Sequence, residues 1–125
     1  AGIAAVTEMR DRKAEIYPLL ETRSQRLSEE VNAFLTANQM PVQLRRGASM
    51  FHMPFQRGSI ESARDVRGEN PALENEFYLR LLANGVIVPG IHVAFLSAAH
   101  DDADVDLVVA AYIRSFQEMR DAGSL

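Results

Sequence analysis

The sequence contains no cysteine, and Lys13 is its only lysine beside twelve arginines. Without cysteine the chain can form no disulfide, no thiolate metal site and no cysteine nucleophile, which is compatible with a reducing cytoplasm, the location that we expect. No apolar stretch approaches the roughly 18 to 20 residues that are needed to span a bilayer. The N-terminus also lacks the basic segment before an apolar run that is typical of a signal peptide. We therefore expect no membrane partner.

The charge balance argues against nucleic acid as a partner. Acidic side chains outnumber basic ones by 17 to 13, so the formal net charge of the 125-residue chain is -4. An overall negative field does not favour nucleic acid, and the short basic clusters "QLRR" and "ARDVR" lack interleaved aromatic residues on which bases could stack. The composition, 47% hydrophobic and 24% charged, is ordinary for one globular domain.

Apolar residues recur at helical spacing in several places. The first ten residues are predicted to be helical, and a long helix is predicted to begin near Pro18, because proline suits a first helical turn, and to end at Asn38. Two more helices are predicted at about 71–85, where the closing glycine suits a helix end, and 102–122. The apolar faces of the three long helices are Leu20, Leu27, Val31, Phe34 and Leu35; Leu73, Phe77 and Leu81; and Val105, Val109, Tyr112, Ile113 and Phe116.

The spacing changes to a period of two in "PVQLRRG" (41–47), which predicts a strand with one buried face. Gly47 permits a tight turn, so this strand and the next are predicted to form a hairpin. The other predicted strands are 49–55, 86–88 and 92–97, and residues 56–71 are predicted to form a long loop.

The order of these elements predicts an α+β fold. A small, mostly antiparallel sheet packed against long helices on one face would bury the apolar side of every element. No internal repeat or low-complexity segment interrupts this pattern.

Four aspartates follow the last predicted strand. Asp101 stands where an N-cap residue is expected, and Asp102, Asp104 and Asp106 lie in or near the first turn, where the helix dipole favours negative charge. We interpret them as helix initiation rather than as a metal or acid–base site, and His100 as a packing or hydrogen-bonding residue at the corner. The three histidines show no metal-ligand spacing, so no metal site is predicted.

This stretch, "LLANGVIVPG…HVAFLSAAHDDADVDLVVAAY", resembles the C-terminal end of class III, fold-type I, PLP-dependent aminotransferases, in particular the glutamate-1-semialdehyde 2,1-aminomutase type. "GASMFHMPF" resembles the "G-S-M-F" strand of that family. The first 29 residues resemble the helix pair that follows its "G-N-P-L" stretch. The resemblance therefore covers nearly the whole chain, in order, and corresponds to the C-terminal small domain.

The resemblance implies that residues 1–17 link to a missing large domain and that 18–125 form the small domain. PLP is then expected in the full-length parent and not on this chain, because the family's Schiff-base lysine, its pyridine-nitrogen carboxylate and its phosphate cradle belong to the large domain. Lys13 lies in the charged stretch "RDRKAE", so no catalytic and no cofactor-binding residue is predicted here. The implied partners are the large PLP-binding domain of the same enzyme and further copies of it, as a homo-oligomer such as a dimer.

In the family the small domain closes over the cofactor cleft. The resemblance places Ser49, Met50 and His92 on the substrate-side rim, although a rim or structural role without substrate contact also stays open for His92. The aminomutase type carries a glutamate near the position of His92, so this departure puts the aminomutase substrate in doubt. The apolar residues of 50–55 are interpreted as core and interface.

Two hypotheses of function follow. The chain is a C-terminal fragment of a PLP-dependent aminotransferase or glutamate-1-semialdehyde-type aminomutase, not catalytic alone, or it is a free-standing α+β interaction or regulatory module. The first is favoured by the length of the resemblance. The absence of an initiator Met and a start inside a predicted helix agree with it, and we expect the chain to be a piece of a longer protein.

Overall fold

Four α-helices and three short strands make up residues 1–66, 70–89 and 93–125, the part of the chain that the computed structural model describes. None of these helices is both long enough and apolar enough to cross a membrane. The arrangement is the predicted α+β fold. The helices are α1 (Gly2–Asp11), α2 (Lys13–Ala37), α3 (Pro71–Ala83) and α4 (Asp102–Asp121), the strands are β1 (Arg45–Gly47), β2 (Met50–His52) and β3 (Ala94–Phe95), and a short 3-10 turn covers Ala63–Asp65.

Helix α2 begins at Lys13, so the predicted start near Pro18 is wrong. Pro18 lies inside α2 and is exposed, and it removes one backbone hydrogen bond near the start of a 25-residue helix. Ile16 and Leu20, on either side of it, are 4% and 8% exposed. The helix continues through the proline because burial of these neighbours offsets the lost hydrogen bond.

The core lies between α2, α3 and α4. Val31 on α2 and Val105 on α4 are fully buried, as the predicted apolar faces require. Phe77 of α3 stacks on Phe116 of α4 with ring centroids 4.6 Å apart, and its ring meets Tyr112 edge-on at 5.3 Å. Aromatic pairs in these geometries contribute about 0.5 to 1.5 kcal/mol beyond their buried area. They fix how α3 lies against α4.

The strands form one antiparallel sheet in the order β1-β2-β3. The predicted hairpin is confirmed, although β1 and β2 are shorter than predicted. The strand predicted at 92–97 is confirmed only as β3, and residue 92 lies outside the described residues. The strand predicted at 86–88 is wrong: among the described residues this segment pairs with no strand, and the Val86 N–H donates to the Leu81 carbonyl of α3 at 2.9 Å. Gly85, at φ 88°, makes the turn that brings the two groups together.

The described part of the predicted loop folds back on the hairpin. Gln43 donates to the Gly58 carbonyl at 2.6 Å, and Gln56 donates to the Asp65 carbonyl at 2.8 Å. Ile60 is 6% exposed and accepts a hydrogen bond from Arg45 through its carbonyl. This loop is thus a packed part of the domain over residues 56–66.

The start of α4 matches the predicted helix initiation. Asp101 accepts a hydrogen bond from the Asp104 N–H at 2.9 Å, and the Asp104 carboxylate accepts one from the Asp101 N–H at 2.9 Å. This reciprocal pair is a capping box, which satisfies two free N–H groups at once. His100 accepts a hydrogen bond from the Ser97 N–H at its Nδ1 atom, 3.0 Å away, as expected for a corner residue.

Two arginines of α2 bind residues at the start of α4. Arg23 donates to the His100 carbonyl at 2.8 Å and to the Asp102 carboxylate at 2.7 Å, and Arg26 is paired with Asp106. The hydrogen bond and the charge of Arg23 lower the pKa of Asp102 below its usual 3.8. The aspartates therefore serve both the helix start and the contact between α2 and α4.

The first prediction concerns Asn32, whose side chain holds the segment before β1. Asn32 donates to the Leu44 carbonyl and accepts from the Leu44 N–H, both at 2.8 Å, and Leu44 is 3% exposed. Asn32→Ala leaves two buried backbone groups without partners, so we expect the unfolding free energy to fall by about 1 to 3 kcal/mol in urea titrations.

Gln25→Ala is the matched control, because Gln25 is an exposed amide on the same helix and donates to the exposed Glu29. We expect it to change the unfolding free energy by less than about 0.5 kcal/mol. Equal effects of the two substitutions would contradict the role of Asn32.

The second prediction concerns acid. Because the folded-state pKa of Asp102 is depressed, its contribution to stability is present above its unfolded pKa of 3.8 and is lost as pH falls through the lower folded value. We expect Asp102→Asn to be less stable than the wild type at pH 7 and equally stable once the pH is below that folded value, in urea titrations across this range.

Asp121→Asn removes the same charge at the opposite end of α4, where the helix dipole does not favour it. We expect no loss of unfolding free energy at pH 7 from this substitution. A difference between wild type and Asp102→Asn that is unchanged at low pH would show that the pairing with Arg23 does not carry the effect.

Candidate functional site

The open face of the sheet is the candidate site. Directly paired residues of neighbouring strands project to the same face, so Met50 shares a face with its partner Phe95, and Arg45 with its partner His52. Phe51 lies between Met50 and His52 on β2, so it projects to the opposite face, the core, and is 5% exposed. Met50 and Phe95 are instead 50% and 53% exposed. The sheet thus has one face packed on helices and one apolar face that is open.

Ser49 and Met50 lie together at one end of this face. Ser49 is half-buried in the turn between β1 and β2, and its carbonyl accepts a hydrogen bond from the Leu96 N–H at 2.9 Å. This bond ties the turn to the end of β3. The two adjacent residues predicted for the substrate-side rim are therefore both accessible, at the edge of the open face. The third, His92, lies outside the described residues.

A depression of about 330 Å³ borders the open face, between the hairpin and the residue before β3. Its charges come from β1. Arg46 pairs with Glu21 of α2 at 2.7 Å, and this hydrogen bond lowers the pKa of Glu21. Arg45 donates to a carbonyl, which does not neutralise its charge. The depression therefore combines apolar walls with the cationic side chain of Arg45, whereas the charge of Arg46 is offset by Glu21. The residues that line it are Arg45, Arg46, Gly47, Met50, Phe51, His52 and Val93.

Lys13 does not suit a PLP Schiff base. It is exposed at the start of α2, next to Arg12, which pairs with Glu8 at 2.7 Å and Glu15 at 2.5 Å. A Schiff-base lysine needs a desolvated environment that lowers its pKa. The surroundings of Lys13 are water and charged side chains, so this lysine does not fit a Schiff base with PLP.

Among residues 1–66, 70–89 and 93–125, no three histidine, aspartate or glutamate side chains are grouped so that they could hold a metal ion. Asp102 and Asp106 are paired with arginines of α2, and Asp101 and Asp104 are engaged in the capping box.

The sequence did not indicate two features of this surface. Phe95 was part of a predicted strand, but its pairing with Met50 depends on the register between β2 and β3, which no local pattern specifies. The contacts of Arg23 and Arg26 with α4 join residues about 80 positions apart. Alternation along "HVAFLS" was the one signal for the orientation of Phe95.

The chain matches curated relatives along nearly its whole length. The glutamate-1-semialdehyde 2,1-aminomutase of Anaeromyxobacter dehalogenans is 33% identical over 120 residues, which cover 94% of this chain and 27% of the relative. Across the aminomutases that it matches, the chain spans about a quarter of their length, from 25% to 29%. No model of a known protein family matches the chain.

Solved structures of a transaminase and an aminomutase share the fold of this chain. An omega-transaminase from Sphaerobacter thermophilus matches with a TM-score of 0.80 and 23% identity, over 94% of this chain and 27% of that one. A glutamate-1-semialdehyde aminomutase from Pseudomonas aeruginosa PAO1, in complex with PMP, matches with a TM-score of 0.74 and 22% identity, over 88% of this chain and 26% of that one.

The sequence relatives and the fold agree with the resemblance that the sequence motifs carried. Each comparison covers most of this chain and only a minor part of the other protein. The chain is therefore similar to the C-terminal small-domain portion of class III PLP-dependent aminotransferases, of the glutamate-1-semialdehyde 2,1-aminomutase type.

Proposed function

We propose that this chain is part of a longer PLP-dependent aminotransferase or aminomutase, in which it closes over the active site, and that it is not catalytic alone. The observation that carries the proposal is the asymmetry of the sequence match. Relatives cover 87% to 100% of this chain, whereas the chain covers only 25% to 29% of them. A shared ancestry over this portion supports a shared role for it.

PLP belongs, in this proposal, to the remainder of the parent polypeptide. The one lysine of this chain is exposed among ion pairs and does not fit the cofactor. The proposed partner is accordingly the large, PLP-binding domain of the same enzyme. We also propose that the parent is a homo-oligomer. Its proposed location is the cytoplasm, which agrees with the absence of cysteine from this chain.

Residues 1–17 are proposed to link this portion to the large domain, and residues 18–125 to form the small domain. Two observations support an external partner for the linking segment. Helix α1 buries none of its residues, and Ile3, Val6 and Met9 are 87%, 69% and 39% exposed. At a spacing of three residues they form one apolar stripe, which a neighbouring domain would cover.

The open face of the sheet is proposed to meet the substrate side of the cleft. Ser49 and Met50 stand at its edge, and the cationic Arg45 of the adjacent depression suits a substrate that carries a carboxylate. His92 stays a proposed rim residue. Because it replaces the glutamate of the aminomutase type, transfer of the amino group between two molecules is as compatible with this rim as movement within one molecule.

The third prediction is the length of the native polypeptide. An immunoblot or intact mass spectrum from the source cell should show a product several times longer than 125 residues, because the relatives are about four times as long as this portion. A native product of 13.9 kDa would contradict the proposal and would favour a free-standing interaction or regulatory module.

The same prediction extends to the isolated chain. After incubation with PLP and reduction with borohydride, we expect the wild-type chain to gain no more mass, relative to its own untreated sample, than the Lys13→Arg variant gains relative to its own. A pyridoxyl group attached specifically to Lys13 would contradict the statement that the chain is not catalytic alone.

The fourth prediction concerns Met50 in the full-length enzyme. If its side chain meets the substrate, Met50→Ala removes an apolar contact worth about 1 kcal/mol, and kcat/KM should fall by roughly threefold to tenfold. Leu107→Ala is the matched control, since Leu107 is 52% exposed and lies on α4 away from the open face. Equal steady-state kinetics for the two variants would contradict the assignment of Met50 to the substrate-side rim.

A further inference from the structure

The segment Val86–Val88 has the burial pattern of a strand, and on one side it lines a small pocket together with Ala94, Phe95 and Leu96. Val86 is 9% exposed, Ile87 is 81% exposed, and Val88 packs partly buried against the core. This in–out–in alternation of β-branched residues is typical of a strand on the surface of a domain. Within residues 1–66, 70–89 and 93–125, no strand pairs with it.

An apolar groove runs next to this segment along α3. Leu79 and Leu82 of α3 are 68% and 54% exposed, and together with Ile87 they form one apolar surface. The groove has a volume of about 520 Å³, and none of its lining residues is charged at neutral pH. We call it the α3 groove. Its lining residues are Asn75, Tyr78, Leu79, Leu82, Val86, Ile87 and Val88.

An open strand edge and an adjacent apolar groove are the two components of recognition by strand addition. The backbone of the added strand pairs with the open edge, and its alternate side chains enter the apolar groove. Left uncovered, the same combination promotes aggregation, which folded proteins avoid by covering such edges. The absence of charge in the groove selects an apolar strand rather than a charged peptide.

We propose that an extended strand from the rest of the parent polypeptide pairs with Val86–Val88 and places its apolar side chains in the α3 groove. The inference rests on the proposed function, because it needs a parent longer than this chain. About three quarters of the length of the curated relatives lies outside the portion that this chain matches, so a strand donor is available there.

A second copy of the chain is a poorer occupant. It would offer the same segment, which is limited to three residues by the turn at Gly85 and by Pro89, a residue without an N–H. Two such segments could form only a few hydrogen bonds with each other. A strand of the parent has no such limit and can extend along the whole α3 groove.

The fifth prediction compares hydrogen exchange in the full-length parent, loaded with PLP, and in the 125-residue chain. We expect the backbone amides of Ile87 and Val88 to exchange at least about tenfold more slowly in the parent, because strand pairing occupies them or shields them from water. Equal exchange in both proteins would overturn the inference.

A pair of matched substitutions tests the groove separately. Leu82 in the α3 groove and Leu107 on α4 are exposed helical leucines, 54% and 52% exposed in this chain. In the full-length parent, Leu82→Lys should lower the melting temperature by several degrees, and Leu107→Lys should leave it nearly unchanged. In the 125-residue chain the two variants should melt alike. Equal melting of both variants in the parent would overturn occupation of the groove.

Failure of the inference and failure of the proposed function are distinguishable. A long parent that binds PLP but shows fast exchange at Ile87 and Val88 overturns only the added strand. A native protein that is no longer than this chain overturns both. Protection of the same two amides in the 125-residue chain that increases with protein concentration would identify a second copy as the occupant, which also overturns the inference.

Discussion

The packing of α2 against α4 is the contact on which the other elements depend. Their most deeply buried residues, such as Val31 and Val105, face a common core, and Arg23 fixes the relative position of the two helices by bonding the corner before α4. Phe77 places α3 on this pair through its stack with Phe116. The sheet lies on the same core through Phe51. Helices α2, α3 and α4 and the sheet therefore each bury one side, whereas α1 buries none of its residues, and no described α-helix covers the second side of the sheet.

This one-sided arrangement leaves apolar surface in three places: the stripe on α1, the open face of the sheet and the α3 groove. Each exposed side chain costs free energy in water, since burial of apolar surface contributes about 25 cal/mol per Å². A scattered exposed leucine is ordinary, but neighbouring exposed residues at strand or helix spacing usually mark an interface. Surfaces of this kind are expected if the chain is one portion of a larger enzyme, with different surfaces for the linker, the substrate side and an added strand.

The helices were predictable because their signals are local. Asp101, Asn38 and Gly85 stand at or next to helix ends as predicted, and the periodic apolar residues form the core. Pro18 misled the prediction because its effect depends on burial of its neighbours, which one residue does not reveal. Register and long-range pairing were not predictable: Met50 meets Phe95, and Arg23 meets Asp102, through tertiary structure alone. The rim assignment of Ser49 and Met50 came from family resemblance, because nothing in their residue types indicates it.

The wrong prediction at 86–88 has a different physical origin. Residue types and alternation there describe the burial of the side chains correctly, since Val86 is buried, Val88 is partly buried and Ile87 is exposed. The residue pattern of one segment cannot reveal which other segment supplies its hydrogen-bonding partner, because strand pairing depends on both segments. A strand pattern without a partner in the described chain is therefore more than an error of prediction. The chain spans about a quarter of its relatives, and this segment is where we propose that a strand from the rest of the polypeptide pairs.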